Sequence, residues 1–148
     1  MARMNYIAAS PDGTKALAAV HAYIKQSGLP APFVDLVYLR VSLINGCHYC
    51  TQHHVASSKR AGLTSDDWSD LKHGNYARFS EKERAALIYA EKLTRSPHNV
   101  TDQDFLDLKK HFPDEQIVDL HLLTGLANLT NRFTDPLGLE LEFPEQEI

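Results

Sequence analysis

The chain has 148 residues, of which 43% are hydrophobic and 23% charged, a balance typical of one soluble globular domain over residues 1–148. Its net charge of -4 argues against a nucleic-acid-binding surface, which needs clustered basic residues, and the pair Lys59-Arg60 is typical of a solvated helix face. No segment has the ~18 apolar residues of a membrane span or the apolar core of a signal peptide, so we expect a cytoplasmic protein that contacts no membrane.

Helical patterns cover most of the chain, and the sequence predicts no pair of strands. The first helix spans residues 11–26 and ends before a Ser-Gly-Leu-Pro turn. The second begins near residue 32 and ends at Asn45-Gly46, because glycine readily adopts the left-handed conformation that closes a helix. The third begins at or near Cys47 and extends to Gly62.

Three later helix starts carry a capping signature, in which an acidic residue follows a serine or threonine by three positions. These are Ser80 with Glu83, Thr64 with Asp67 and Thr101 with Asp104. The last long helix spans about residues 114–133 and is apolar nearly all round between residues 120 and 129. We expect such a helix to be central in the core or shared with another subunit, and the acidic tail after Gly138 to be loosely held.

Both cysteines lie in one CxxC motif, Cys47-His-Tyr-Cys50, which His54 follows. At 100° per residue these three side chains fall on one stripe of a helix, with Cys50 and His54 close enough for the imidazole to take a thiol proton. Cys47 stands at the helix start, where free backbone N–H groups and the helix dipole favour a thiolate. Two thiols at this spacing can close into a reversible disulfide, as peroxide reduction or disulfide exchange requires. Which thiol attacks stays open, because the dipole favours Cys47 and the imidazole favours Cys50.

Other chemistries compete for the same motif. Covalent haem needs CxxCH, and position 51 is Thr. Structural zinc needs four ligands, and the motif with its histidine supplies three, so a distant residue such as His21 or His121 would have to complete the set. Both of those lie on mostly apolar helices, where core histidines are the more frequent case. We therefore predict neither a metal nor a cofactor, while a zinc or interaction module without catalysis stays open.

Several other side chains are expected to play structural roles. His48 and His53 point away from the cysteine stripe, and either could line the mouth of a pocket there, although a surface or interface role is favoured. Arg40 lies on the helix that carries Asp35 and is predicted to be a buried or interface ion-pair partner. Trp68 is predicted to belong to the core.

The segment from Asp35 to His54, with Leu-Arg and Asn-Gly ahead of the CxxC, resembles the core of the alkylhydroperoxidase D family, within the wider carboxymuconolactone decarboxylase-like superfamily. The resemblance covers about residues 32–133. It continues in order through residues 59–62, 80–87, 90–94 and 128–132. It implies an all-α single-domain bundle of the alkylhydroperoxidase D-like type, with the CxxC at a helix N-terminus and assembly as a trimer or hexamer.

The resemblance also implies an enzyme, a thiol peroxidase or disulfide reductase whose dithiol is restored by a lipoyl-, thioredoxin- or glutathione-type system. Its proton relay maps to Asp35, His54 and the thiols Cys47 and Cys50. Asp35 stands where the family usually has Glu, so we expect a water to bridge to His54 where the shorter side chain falls short. The alternative function is a carboxymuconolactone decarboxylase-like lyase, which uses acid–base residues and needs no CxxC.

Overall fold

The structure is a computed structural model that describes residues 2–141 and 143–148. Within those residues every regular element is helical, so the all-α prediction is confirmed. The helices are α1 (Tyr6–Ala9), α2 (Pro11–Gln26), α3 (Ala31–Asn45), α4 (His48–Arg60), α5 (Ser65–His73), α6 (Glu81–Arg95), α7 (Asp102–Lys109) and α8 (Asp114–Leu137), with a short 3-10 turn at Pro97–Asn99. None of the described helices combines the length and the apolarity needed to cross a bilayer.

Helix α3 is the centre of the fold. It is buried without interruption from Asp35 to Ser42, and it packs against α4, α5, α6 and α8. Its apolar side chains divide between two clusters of the core. Val37, Tyr38 and Val41 pack with α6 and α8, whereas Leu36 and Leu39 pack with α4 and α5. A helix covered on every side needs apolar residues on every side, which explains why α3 has so few polar positions.

Helix α8 is less enclosed than its composition predicts. Leu120, Leu123 and Ala127 are fully buried, whereas Val118 and Leu129 remain more than half exposed. Of the two alternatives predicted for this helix, the central place in the core belongs to α3, and the exposed apolar face leaves open that α8 is shared with another subunit. Helix α8 also extends past the predicted end at residue 133, because it closes only at Gly138, whose φ of 64° is left-handed.

The capping boxes at α5, α6 and α7 are present as predicted. The C-terminal tail, in contrast, is held more firmly than expected. The Gln52 side-chain amide accepts from the backbone N–H of Gln146 at 2.7 Å and donates to its carbonyl at 2.9 Å. Lys72 Nζ donates to the Ile148 carbonyl at 3.0 Å, and Ile148 packs against the core. Amide pairing of this kind is invisible in the composition of an acidic tail.

Candidate active site

The CxxC lies at the corner between α3 and α4. Gly46 makes the corner, because its φ of 70° is left-handed and ends α3. Cys47 is the N-cap of α4, and its sulfur accepts the backbone N–H of Cys50 at 3.3 Å. The two cysteines are paired as a disulfide, with their Cα atoms 5.4 Å apart. The sequence prediction that the motif begins a helix is therefore confirmed, and the pair can form a disulfide without rearranging the helix.

The two cysteines line different recesses of the molecule. Cys50 lines a cavity of about 910 Å³ between α2, α3, α4 and α8. Cys47 is only 1% exposed and lines a smaller recess of about 340 Å³ on the side covered by Gln146. Cys50 is therefore the cysteine among the described lining residues of the large cavity, and Cys47 is the cysteine of the smaller recess.

Asp35 and His54 are in direct contact. His54 Nδ1 lies 3.2 Å from Asp35 Oδ1, and Ser57 Oγ donates to Asp35 Oδ2 at 2.9 Å. The expectation of a bridging water is therefore corrected, because α3 and α4 pack closely enough for the shorter aspartate to reach. Ser57 was not predicted, although its place one turn after the histidine was visible in the sequence.

The surroundings of His54 suit it to accept a proton. Burial lowers the pKa of His54 below its ordinary value, and the hydrogen bond to Asp35 opposes this effect without cancelling it. Tyr38 stacks on the imidazole with ring centroids 4.0 Å apart. With Nδ1–H donating to the carboxylate, Nε2 keeps its lone pair at neutral pH. His54 is thus a neutral base on the cavity wall that also contains Cys50.

Thr134 is the side chain that contacts the sulfurs directly. Its hydroxyl oxygen lies 2.9 Å from Cys50 Sγ and 3.4 Å from Cys47 Sγ, and it donates to the Thr130 carbonyl at 2.9 Å. Among the described residues, His54 makes no hydrogen bond to either sulfur. The sequence analysis missed Thr134, because it is far away in the chain and lies beyond the predicted end of α8.

A polar clamp fixes Thr134 opposite the motif. Asn45 donates to the side-chain oxygens of Asn128 at 3.0 Å and Asn131 at 2.9 Å. Asn131 in turn donates to Ser42 Oγ at 3.0 Å, deep in the core. These bonds join the end of α3 to α8 one turn before Thr134, so buried and half-buried amides fix the position of the Thr134 hydroxyl relative to the sulfurs.

The structure also places the residues that were predicted to have structural roles. Arg40 is a buried ion-pair partner, as predicted, and its partner is Glu91 at 2.9 Å, because its side chain points to α5 and α6. Trp68 lies in the core as predicted, where its indole donates to Ser58 Oγ at 3.0 Å. The guanidinium of Arg40 also donates to the carbonyl of Leu71 at 2.8 Å, so it serves the scaffold.

The histidines outside the motif are dispersed. His48 is exposed and lies 3.3 Å from Glu145, whereas His53 lines the large cavity rather than serving only the surface. His21 also lines the cavity, stacked on Tyr38, and His121 accepts or donates a hydrogen bond with the Tyr89 hydroxyl at 2.7 Å. The described residues contain no group of three or more His, Cys, Asp and Glu side chains placed to bind a metal, so the zinc alternative finds no ligand set there.

Comparison with known proteins assigns the chain to a family. The carboxymuconolactone decarboxylase family model matches residues 11–92. The uncharacterized protein YdfG of Bacillus subtilis is 32% identical over 138 residues, which are 92% of this chain and 94% of that protein.

Solved structures give the same assignment. A protein of unknown function from Agrobacterium tumefaciens, ATU0492, described as a candidate AhpD antioxidant-defence protein, matches with a TM-score of 0.88 and 32% identity over 97% of this chain and 100% of that one. An uncharacterized peroxidase-related protein with an alkylhydroperoxidase AhpD core, from Ralstonia eutropha, matches with a TM-score of 0.83 and 25% identity over 93% of this chain and 74% of that one. The chain therefore belongs to the alkylhydroperoxidase D family, within the carboxymuconolactone decarboxylase-like superfamily.

Proposed function

We propose that the protein is a thiol peroxidase that reduces a hydroperoxide with Cys47 and Cys50 and cycles between a dithiol and a disulfide. The observation that carries this proposal is the position of the Cys50 sulfur. It lines a large cavity together with the Asp35–His54 pair, and Cys47 lies behind it in disulfide contact. Family membership supports redox chemistry in general, and the geometry supports the peroxidase reaction in particular.

The first half of the cycle oxidises Cys50. His54 accepts the Cys50 thiol proton, and the thiolate attacks one oxygen of the hydroperoxide. An S–O bond forms as the O–O bond breaks, and the departing alkoxide takes the proton back from His54. The products are an alcohol and a Cys50 sulfenic acid. Asp35 keeps the imidazole oriented and stabilises its transient positive charge, as its direct contact with Nδ1 allows.

The second half forms the disulfide. The Cys47 sulfur attacks the sulfenic sulfur of Cys50, and the hydroxyl leaves as water with the Cys47 proton. Two electrons from an external dithiol or from two thiols then restore the starting state. A lipoyl-, thioredoxin- or glutathione-type partner in the reducing cytoplasm would supply them, and the same exchange chemistry would let the protein reduce small disulfides.

Thr134 assists the first half of the cycle. A threonine hydroxyl has one proton, and in the disulfide form that proton goes to the Thr130 carbonyl. Rotation about its side-chain bond would direct the proton to a Cys50 thiolate 2.9 Å away. A hydrogen bond to the charged form lowers a thiol pKa, so Thr134 would stabilise the Cys50 thiolate by direct contact, while His54 acts from the wall of the same cavity.

The lyase alternative is less well supported, because such an enzyme does not need a pair of sulfurs in contact. The test is a turnover assay in which the reduced protein receives one equivalent of tert-butyl hydroperoxide. We expect two thiols to disappear for each alcohol formed, and a dithiol such as dihydrolipoamide to restore them. Alcohol formation without thiol loss, or thiol loss without alcohol, would contradict the proposal. Cys47→Ser and Cys50→Ser should each abolish repeated turnover.

A further inference from the structure

The cavity beside Cys50 is much larger than a small peroxide needs. Its volume of about 910 Å³ is at the upper end of the roughly 300–1,000 Å³ found for pockets that hold drug-sized ligands. Most of its wall is apolar. The apolar lining includes Leu17, Ile24, Leu29, Val34, Phe133 and Leu139. A bulky organic group would remove more of this apolar wall from water than hydrogen peroxide could.

The charged groups of the cavity are mostly positive. Lys15, Lys25 and Arg60 line it, and Asp35 is the acidic residue among the described lining side chains. Asp35 is already engaged with His54 and Ser57. A positive lining in a chain with a net charge of -4 is a local departure from the overall charge, and it favours an anionic group on the ligand.

Two of these cations belong to the end of the cavity that is remote from Cys50. Helices α3 and α4 run in opposite directions, because His54 stacks on Tyr38 whereas Ser57 reaches back to Asp35. Continuing along α4 leads to Arg60 near the start of α3. Lys25 lies in the last turn of α2, which a short turn joins to that same start.

The distance along α4 sets the length of the ligand. Cys50, Ser57 and Arg60 all line the cavity, so one face of α4 follows it. At a rise of 1.5 Å per residue, Arg60 lies about 15 Å beyond Cys50 along the helix axis. A molecule that reaches both must be elongated.

From this geometry we infer the substrate class, an inference that rests on the peroxidase function proposed above. The substrate is an elongated, apolar organic hydroperoxide with a carboxylate at its far end, as in a fatty-acid hydroperoxide. Arg60 and Lys25 bind the carboxylate, the apolar wall covers the chain, and the O–O bond lies beside Cys50. The planar guanidinium of Arg60 suits the two oxygens of a carboxylate. The products are then the hydroxy acid and the disulfide.

The first experiment compares a linoleic acid hydroperoxide with its methyl ester, both below the concentrations at which they aggregate. The rate constant for thiol loss in the reduced protein should be on the order of tenfold larger for the free acid, as expected for a charge-assisted contact. In the Lys25→Gln/Arg60→Gln variant the acid-to-ester ratio should fall close to one. The control is Lys59→Gln, which removes one positive charge at the position next to Arg60 but outside the cavity lining and should keep the ratio.

The second experiment needs no peroxide chemistry. Oleate binding to the disulfide form is measured by calorimetry, with the double variant expected to bind on the order of tenfold more weakly than the wild type and the Lys59→Gln control. Equal rates of thiol loss with the acid and the ester, or unchanged oleate binding in the double variant, would overturn the proposed carboxylate subsite. If no peroxide oxidises the wild-type protein, the proposed peroxidase function is wrong. Oleate binding would still decide whether the carboxylate subsite exists.

Discussion

At the scale of single residues, the candidate site combines side chains that the sequence reveals with others that it hides. Cys47, Cys50 and His54 could be found because one helix stripe brings them together, and Asp35 followed from the family resemblance. Thr134 could not be found, because its contact with Cys50 depends on how α8 packs against α3. The sequence encodes that packing through buried amides, whose partners are visible only in three dimensions.

The hydroxyl of Thr134 is expected to stabilise the Cys50 thiolate. Thr134→Val keeps the shape of the side chain but removes the donor, so the Cys50 pKa should rise by about one unit, since hydrogen bonds to charged groups contribute about 1.5–3 kcal/mol. Alkylation by iodoacetamide near neutral pH should slow by roughly tenfold. The pH profile of alkylation in Cys47→Ser background measures this directly. Thr134→Ser should retain the wild-type profile, and an unchanged profile in Thr134→Val would assign the threonine to packing alone.

Asp35 and His54 are expected to work as one unit. Asp35→Asn and His54→Ala should each slow thiol oxidation by about 10²–10⁴-fold, the usual range for a general base. The double variant should be little slower than the slower single variant. Stopped-flow thiol oxidation across the pH range checks both expectations.

Asp35→Glu is the informative control for reach. Because the aspartate already contacts Nδ1 at 3.2 Å, the longer family residue should bring no gain in rate. A faster Asp35→Glu variant would show that the contact is too long in solution.

At the scale of helices, local sequence signals predicted the helix ends well, whereas the sequence did not predict how the helices pack against one another. The capping boxes and the glycine at residue 46 predicted where helices begin and end, because these signals act within a few residues of the chain. Composition left open whether α8 is central in the core or shared with another subunit, because an apolar composition is common to a helix covered by its own chain, α3, and one with an uncovered face, α8. Composition reports how much apolar surface exists, not what covers it.

The uncovered face of α8 is expected to join subunits. Val118, Leu122 and Leu129 are exposed at helical spacing, with Gly125 between them. We expect a trimer or hexamer, and Leu122→Glu should dissociate it because a buried charge at an interface is costly. Light scattering at micromolar concentration measures the mass. Ser69→Glu adds the same charge on α5 and should leave the assembly intact, whereas a monomeric wild type would contradict the expectation.

At the scale of the whole molecule, two half-buried histidines link stability to pH. Burial lowers the pKa of both His21 and His54, with Lys25 adding to the effect on His21. In the unfolded chain both would titrate near 6.5, so below that pH the unfolded state binds more protons than the folded state. The free energy of unfolding should therefore fall as the pH drops from about 7 to 5, by up to about 1.4 kcal/mol per pH unit for each histidine.

Urea unfolding at pH 7.5 and 5.5 measures this loss. The carboxylates whose pKa is lowered, such as Asp104, lose their contribution only at more acidic pH, so they do not obscure this window. His21→Gln/His54→Gln should be nearly insensitive over the same range. An equally steep loss in that variant would show that other groups carry the pH dependence. If residues 1–148 form a single domain, as predicted, these same urea curves should show one cooperative unfolding transition.

The position of Cys50 on the cavity wall is tested most directly by trapping its oxidised form. Cys47→Ser removes the thiol that would close the disulfide, so one equivalent of peroxide should convert Cys50 to a sulfenic acid that dimedone captures and mass spectrometry locates. Cys50→Ser should give no captured adduct at Cys47, because Cys47 lines the smaller recess and is not among the lining residues of the large cavity. An adduct on Cys47 in Cys50→Ser, with none on Cys50 in Cys47→Ser, would reverse the roles of the two thiols and contradict the mechanism proposed for this cavity.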